Sequence, residues 1–387
     1  MIDFPANPTT NQIFTAGGVQ WLWDGTKWVA NGVGSGYVPL SGGTMTGPLI
    51  LNADPTVALG AATKQQVDAH TPGENRIING DMRINQRGVV SGGATNGYTV
   101  DRWSYWASQP SKVTWAPTAV SPSTFGFPYC ITFTTPSTPY TSLATETFEF
   151  YQPIEADMIS DFNWGQSTAQ PVTLSFWAFS NITGNFSGSI HNYANTRSFP
   201  FTFNIPTAGV WVRYIIPIFG DPNGTWVMSG NAGAAYVMFD LGCGANQRGP
   251  AGAWASANYI GVTGSVSLVA NANATLGVTG VKLEIGSIAS RFVQDSLAKR
   301  MADCQRYYQG GVADFNSYGA IASSIASTFN SLQQMRASPT VAYQTPSYAN
   351  CSGVTAVVYI NGVKTYVLAT AAGGLSLTSG FTANAEL

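Results

Sequence analysis

Catalytic chemistry has few residues to draw on in this chain. There are two histidines, His70 and His191, and four cysteines, Cys130, Cys243, Cys304 and Cys351. A structural zinc site gathers about four Cys, His or carboxylate ligands at short spacings, and these side chains form no such cluster. A Ser–His–acid triad would have to use one of the two histidines, yet no Gly-x-Ser-x-Gly turn exposes a serine. Glycoside hydrolysis needs two opposed carboxyl groups, one with a raised pKa. Asp157 with Asp161 and Glu146 with Glu149 are close in sequence, but ordinary surface acids are the expectation for both pairs. Gly42-Gly43 and Gly92-Gly93 lack the lysine and helix of a phosphate loop. Asp221-Pro222-Asn223-Gly224-Thr225 opens like a calcium loop but has no closing glutamate, so a plain turn is expected. The reading is a non-enzymatic chain with no metal and no cofactor.

Binding is better provided for. A sugar offers apolar C–H faces to aromatic rings and hydroxyls to amides, carboxylates and guanidinium groups. The chain has 11 tryptophans and 17 tyrosines, enough for some to stand outside a core. Rings within alternating strands, such as Trp103, Trp177 and Trp211, are expected to pack inside. Rings in Gly- and Asn-rich loops are the candidates, because loops carry function disproportionately. Three loops qualify: Asn223 with Trp226; Gln247 and Arg248 leading to Trp254, Asn258 and Tyr259; and Asn192 and Tyr193 with Arg197.

Charge narrows the partners. Only 9% of residues are charged, 17 basic against 19 acidic, for a net charge of −2. Nucleic-acid binding by counterion release needs clustered Lys and Arg, so no nucleic-acid partner is expected. The most apolar stretch, 210–219, is broken by Arg213 and Pro217 and is too short to span a bilayer, so membrane insertion is not expected. The first residues carry no basic and apolar leader pattern. The cysteines are read as reduced and packed.

The elements that must position these residues are β-strands. Period-2 alternation marks 172–179, 199–205 and 210–216, and further strands are expected at 130–134, 147–151, 235–241, 265–270 and 278–285. Many short strands between Gly, Pro and Asn turns predict an all-β fold, an antiparallel β-sandwich of the jelly-roll kind over 74–310. One helix follows, capped by Asp295 or Ser296, with Leu297, Met301, Cys304 and Tyr308 on its inner face. A C-terminal β module is expected over 311–387, with its clearest hairpin at Asn361-Gly362. At the other end, 1–36 holds a small hairpin turning at Asp24-Gly25. Its Trp21, Trp23 and Trp28 serve either as an attachment tip or as the core of a mini-fold. Residues 37–73 are too poor in apolar side chains to bury a core alone. Three copies together could pack Met45, Leu49, Leu51 and Val67, and Thr63 with Gln66 matches a capping box for a short helix.

Leu40-Ser41-Gly42-Gly43-Thr44-Met45-Thr46-Gly47-Pro48-Leu49, followed by Ala61-Ala62-Thr63-Lys64-Gln65-Gln66-Val67-Asp68, resembles the tail-fibre repeat of tailed bacteriophages. Asn75-Arg76-Ile77-Ile78-Asn79-Gly80-Asp81-Met82, Glu284-Ile285-Gly286 and Cys304-Gln305-Arg306-Tyr307-Tyr308 together resemble a phage tail domain with a carbohydrate-binding-module-like jelly roll. The resemblance implies a homotrimeric receptor-binding fibre of the virion, assembled in the host cytoplasm. It would attach to other virion proteins through its N-terminus and bind host cell-surface polysaccharide through the sandwich. An accessory fibre of head, collar or baseplate, without a receptor, is the alternative.

Overall fold

The computed structural model describes residues 2–30, 73–93, 96–120, 126–319 and 325–387. The expected stalk, with Met45, Leu49, Leu51, Val67 and the helix start at Thr63 and Gln66, lies outside the described residues, as does His70. The chain divides into two compact units, Met1–Thr63 and Lys64–Leu387.

In the first unit β1 (Ile13–Ala16), β2 (Val19–Trp23) and β3 (Trp28–Ala30) form one antiparallel sheet. The expected two-stranded hairpin gains β1 because a bare hairpin cannot cover its own rings. Phe4 stacks on Trp28 at 5.5 Å and meets Trp21 edge-on at 5.2 Å, and Phe14 of β1 lies 5.9 Å from Trp28. The turn also differs from expectation. Trp23 pairs with Trp28, so residues 24–27 form the connection. Asp24 closes it by accepting from the backbone N–H groups of Thr26 and Lys27, each at 2.9 Å.

The second unit begins with a two-sheet sandwich. Its strands are β4 (Gly97–Val100), β5 (Trp103–Ala107), β6 (Thr114–Ala119), β7 (Tyr129–Thr134), β8 (Phe148–Glu155), β9 (Val172–Ser180), β10 (Gly184–Asn192), β11 (Ser198–Ile205), β12 (Val212–Ile218) and β13 (Gly233–Asp240). A two-residue parallel pair, β14 (Arg248–Gly249) with β15 (Gly261–Val262), and the long β16 (Thr275–Ile285) complete the set. The six-stranded sheet runs β11-β10-β13-β8-β5-β4 and the five-stranded sheet β12-β9-β16-β7-β6. Successive strands repeatedly change sheet, as a jelly roll requires. Alternation decides which side chains meet between the sheets. Phe148 and Phe150 of β8, Val237 and Phe239 of β13 and Phe201 and Phe203 of β11 point inward, against Leu174 and Phe176 of β9. Phe176 lies 5.0 Å from Phe239 and 5.1 Å from Phe203, both edge to face, and Trp103 stacks on Phe150 at 4.7 Å. Each such ring contributes roughly 1.5–3 kcal/mol by leaving water. The four cysteines are free and buried.

Three expectations change here. The stretch 265–270 is not a strand: Leu268–Ala270 is a 3₁₀ turn. Leu268 and Val269 are the buried pair, and adjacent residues cannot share one face of a strand. Trp103 is core, but Trp177 and Trp211 are only half buried, with Trp211 resting on Phe179 at 4.6 Å. They lie on the outward parity of β9 and beside it, opposite to Phe176.

The helix α1 (Leu297–Gln305) is capped by Ser296, whose side chain accepts from Lys299 N. Of the expected stripe Cys304 is buried, but the inward face is completed by Arg300 and the following Tyr307, and Leu297 is 52% exposed. The rotation follows from Asp81, a buried carboxylate that Arg300 reaches down to neutralise. Tyr308 belongs to the next strand.

After α1 come β17 (Tyr308–Gly319), β18 (Ile325–Ser331), β19 (Thr340–Ala349), β20 (Cys351–Tyr359), β21 (Gly362–Ala369) and β22 (Gly373–Asn384). They form the sheets β17-β22-β19 and β18-β21-β20. Val363, Val367, Leu377 and Phe381 fill a second core. The β20–β21 turn moves one residue from its expected place: Tyr359 pairs with Gly362, leaving Ile360 and Asn361 as the connection. Gly362 is required for another reason, since a Cβ there would collide with the Phe329 ring.

The chain end fastens this module to the sandwich. Glu386 inserts its carboxylate between Arg102 and Arg87, the latter at 3.0 Å. Arg102 is 1% exposed, donates to Pro153 O at 2.6 Å, and sits over the Tyr307 ring at 3.6 Å. Arg87 lies between the rings of Tyr98 and Tyr308, at 4.0 and 3.8 Å. Removing one member of a buried pair strands the other charge, which costs roughly 3–5 kcal/mol. Glu386→Ala is therefore expected to lower the urea unfolding midpoint by a corresponding amount, and Glu386→Gln by less. Arg87 keeps Asp101 at 2.9 Å, so a loss under about 1 kcal/mol would show that Arg102 finds water instead.

Candidate functional site

The structure brings Asn192, Arg197, Asn223, Trp226 and Trp254 together, but it ties their polar atoms to one another. Arg197 grips Asp221 with Nε at 2.8 Å and Nη2 at 2.6 Å, and its Nη1 donates to Ser256 Oγ at 2.8 Å. Trp226 Nε1 donates to the same carboxylate at 3.1 Å. Trp254 Nε1 donates to Phe219 O at 2.7 Å. Asn192 Nδ2 donates to Thr225 O at 3.0 Å. The rings of Trp164, Trp226 and Trp254 pack edge to face, with centroids 4.7 to 5.5 Å apart. This cluster braces loops, and Asn223 remains exposed beside it. The calcium-like turn is accounted for too, because Arg197 occupies the Asp221 carboxylate.

Tyr193, Gln247, Arg248, Asn258 and Tyr259 belong elsewhere, over the outer face of the six-stranded sheet. The segment 246–266 lies along β10 and β11 there. Ser189 Oγ donates to Ile260 O at 2.9 Å, His191 Nε2 donates to Tyr259 O at 2.8 Å, and Ser187 Oγ meets Ser265 Oγ at 2.8 Å. Burial pushes His191 down to about 4, so it stays neutral at neutral pH. Gly261 must lack a side chain, since a Cβ would collide with Asp240. Arg248 crosses from the segment to the sheet and pairs with Asp240 at 2.7 Å.

Beyond that segment the face carries a row of rings and acids. Registers place Trp106 of β5 beside Glu149 of β8, and Glu149 beside Asp240 of β13. Cross-strand partners stand about 4.5–5.5 Å apart at Cβ. In the next row Ser104 neighbours Tyr151, which neighbours Met238. Tyr236 meets Tyr151 edge-on at 5.7 Å and stacks on Tyr193 at 4.9 Å and 14°. Trp106 is 48% exposed, while Tyr151, Tyr193 and Tyr236 are half buried. Three buried polar atoms beneath this face have no hydrogen-bond partner: Glu149 Oε2, Gln247 Oε1 and Arg248 Nε. Burial, and then the neighbouring Asp240, push the Glu149 carboxyl up to about 8. It is thus largely protonated at pH 7. Rings for apolar faces beside amide and carboxyl groups are what recognition of a sugar needs.

Sequence reasoning missed Trp106, Tyr151, Tyr236 and Asp240 as site residues, and weighed Glu149 only with Glu146. Those two are not equivalent. Glu146 accepts from Tyr140, Gln109 and Leu143 N, leaving it no open valence. Asp161 is paired with Arg76 at 2.7 Å, and Asp157 accepts from Gly230 N. Strand parity was the available signal: in 148–151, inward Phe148 and Phe150 force Glu149 and Tyr151 outward. A separate cleft of about 440 Å³ between 73–81 and α1 is lined by charges that are already paired, Asp81 with Arg300, Lys299 with Asp303, and Arg306 with Glu155 beyond the cleft.

A carboxyl whose folded pKa is raised costs stability above its unfolded value, because folding holds a proton that the unfolded chain releases. That cost is absent below about pH 4 and grows until about pH 8. Glu149→Gln is expected to raise the melting temperature at pH 8 and to leave it nearly unchanged at pH 4. Equal shifts at both pH values would show that Glu149 ionises freely.

No protein-family model matches this sequence, and no curated protein sequence matches it. Solved structures similar to this chain include the enzymatically active domain of tailspike protein 4 of bacteriophage CBA120, at 14% identity and TM-score 0.31; the alignment covers 55% of this chain and 21% of that one. Another is TmCBM61 in complex with β-1,4-galactotriose, at 12% identity and TM-score 0.29, covering 55% and 99%. A third is the CBM22-1 xylan-binding domain from Paenibacillus barcinonensis Xyn10C, at 9% identity and TM-score 0.26, covering 52% and 95%. Likenesses this distant bear on neither ligand nor activity.

Proposed function

We propose that this chain is a non-enzymatic fibre protein of a phage virion, and that it binds host surface glycan through the outer face of its six-stranded sheet. The observation that carries the reading is that face: Trp106 stands exposed in the interior of β5, with Tyr151, Tyr193 and Tyr236 half buried on the same face. An aromatic ring facing water on a strand interior is unfavourable in isolation and useful once a sugar covers it. The motifs at 40–49, 61–68 and 75–82 support the assignment to a phage fibre. The N-terminal segment, 1–36, would attach to the particle, with Trp21, Trp23 and Trp28 maintaining its shape. Weak single sites suffice when a particle presents many of them.

Assembly as a homotrimer belongs to the same proposal. On the sheet β18-β21-β20, the outward residues Ile325, Phe329, Val357, Tyr359 and Leu368 are all exposed. Registers place Ile325 beside Leu368, and Tyr359 lies 6.1 Å from Phe329, so these form one apolar surface of the kind that neighbouring subunits cover. In sedimentation the chain is expected at three times 40.9 kDa, and Phe329→Asp with Leu368→Asp at a single copy. A monomeric unmutated chain would remove the trimer.

For the glycan site, labelled protein is expected to bind host cells saturably and to lose binding when their glycans are stripped. Trp106→Ala and Tyr151→Ala should each weaken binding about tenfold or more. Trp226→Ala and Trp254→Ala should lower the melting temperature, with little change in affinity of the folded protein. Unaltered binding by Trp106→Ala would move the site off this face, and absence of binding altogether would favour an accessory fibre without a receptor.

A further inference from the structure

The charged residues of the C-terminal module, 308–387, are Asp314, Arg336, Lys364 and Glu386. Arg336 and Glu386 fasten the module. Glu386 lies between Arg87 and Arg102, and Arg336 donates to Asn231 O at 2.7 Å and to Glu386 O at 2.8 Å. For Asp314 and Lys364, one acid and one base, the described residues supply no partner of opposite charge. Alternation turns both outward. Val363 and Thr365 are buried on either side of Lys364, and Ala313 is buried beside Asp314. Asp314 stands exposed on the sheet β17-β22-β19 and accepts from Thr378 Oγ1 at 2.9 Å. Lys364 is half buried on the sheet β18-β21-β20, with the Tyr366 ring 5.1 Å away.

Lys364 thus sits inside the apolar surface formed by Ile325, Phe329, Val357, Tyr359 and Leu368. Registers place it between Phe329 and Val357, both exposed. Whatever covers those two side chains covers the ammonium as well. A cation leaves water only where it gains a counterion, so the covering surface must bring a carboxylate. Two copies packed through this patch about a two-fold axis would set one Lys364 against another. A ring instead closes through two different patches on each copy, so the Lys364 patch of one can meet the Asp314 patch of the next. That second patch admits a close neighbour: the outward residues beside Asp314 are Val312, Thr378 and Gly380, all small or short.

We propose that neighbouring subunits dock head to tail, the β18-β21-β20 face of one copy on the β17-β22-β19 face of the next, with Lys364 paired to Asp314 across each interface. This rests on the homotrimer reading above and names the two surfaces and the charge pair that join the copies. Around a closed ring every Lys364 and every Asp314 is matched, which a two-fold dimer through either face alone does not achieve.

The test is sedimentation equilibrium on the full chain and on three variants: Lys364→Asp, Asp314→Lys and the two together. Each single reversal sets like charges against each other at every interface. It should raise the concentration at which the trimer dissociates about tenfold or more. The double variant restores opposite charges with their sides exchanged, and it should recover most of that loss, which misfolding cannot imitate. Circular dichroism of the single variants is expected to match the unmutated chain. Single reversals that leave the trimer as stable as before, or a double variant no stronger than either single one, would overturn the inference while the trimer stands. A monomeric unmutated chain would remove both.

Discussion

Everything on the sandwich follows from the layer of phenylalanine rings between its two sheets. Phe148, Phe150, Phe176, Phe203 and Phe239 come from strands far apart in sequence, and they interlock edge to face. Because side chains alternate along a strand, committing these rings inward commits their neighbours outward. Glu149 and Tyr151 flank Phe150, and Met238 and Asp240 flank Phe239. A slip of one residue in either strand would bury the acids and expose the rings. The core thus sets which side chains form the outer face, and the register of β5, β8 and β13 sets which of them are neighbours.

That division explains what could be read from the sequence. The sandwich strands were legible because alternation between Phe, Val or Leu and polar residues is a local pattern, as at 172–179 and 199–205. The helix after the sandwich was legible in place but not in orientation. Its pattern points Leu297 inward, whereas the buried Asp81 turns Arg300 there instead, an interaction across 219 residues. The stretch 265–270 looked like a strand because it is apolar, but it closes a sandwich end through adjacent Leu268 and Val269. Sheet order is the least local property of all. Trp106, Glu149 and Asp240 are unremarkable in their own segments and become a row only when β5, β8 and β13 lie side by side.

The loop aromatics teach the converse. Trp226 and Trp254 sit in Gly- and Asn-rich loops, where exposure is the ordinary expectation, yet they close on Trp164 and hydrogen-bond inward. A long loop over the end of a sandwich must satisfy its own backbone and cover its own apolar atoms. Here a buried Arg197–Asp221 pair and an indole trio meet that requirement. Trp106 on the flat sheet surface is left more exposed than the loop tryptophans Trp226 and Trp254.

The Arg102–Glu386 contact joins residues 284 positions apart. A ribosome adding about 5–20 residues per second needs on the order of tens of seconds to cover that distance. Throughout that interval Arg102 has no Glu386 to meet, and β5, which it adjoins, stands at the margin of the sheet with only β4 beyond it. The sandwich can collapse early around its rings, but its margin is sealed only when the last strands arrive. Until residue 386 is made, Arg102 holds a buried positive charge without its carboxylate partner.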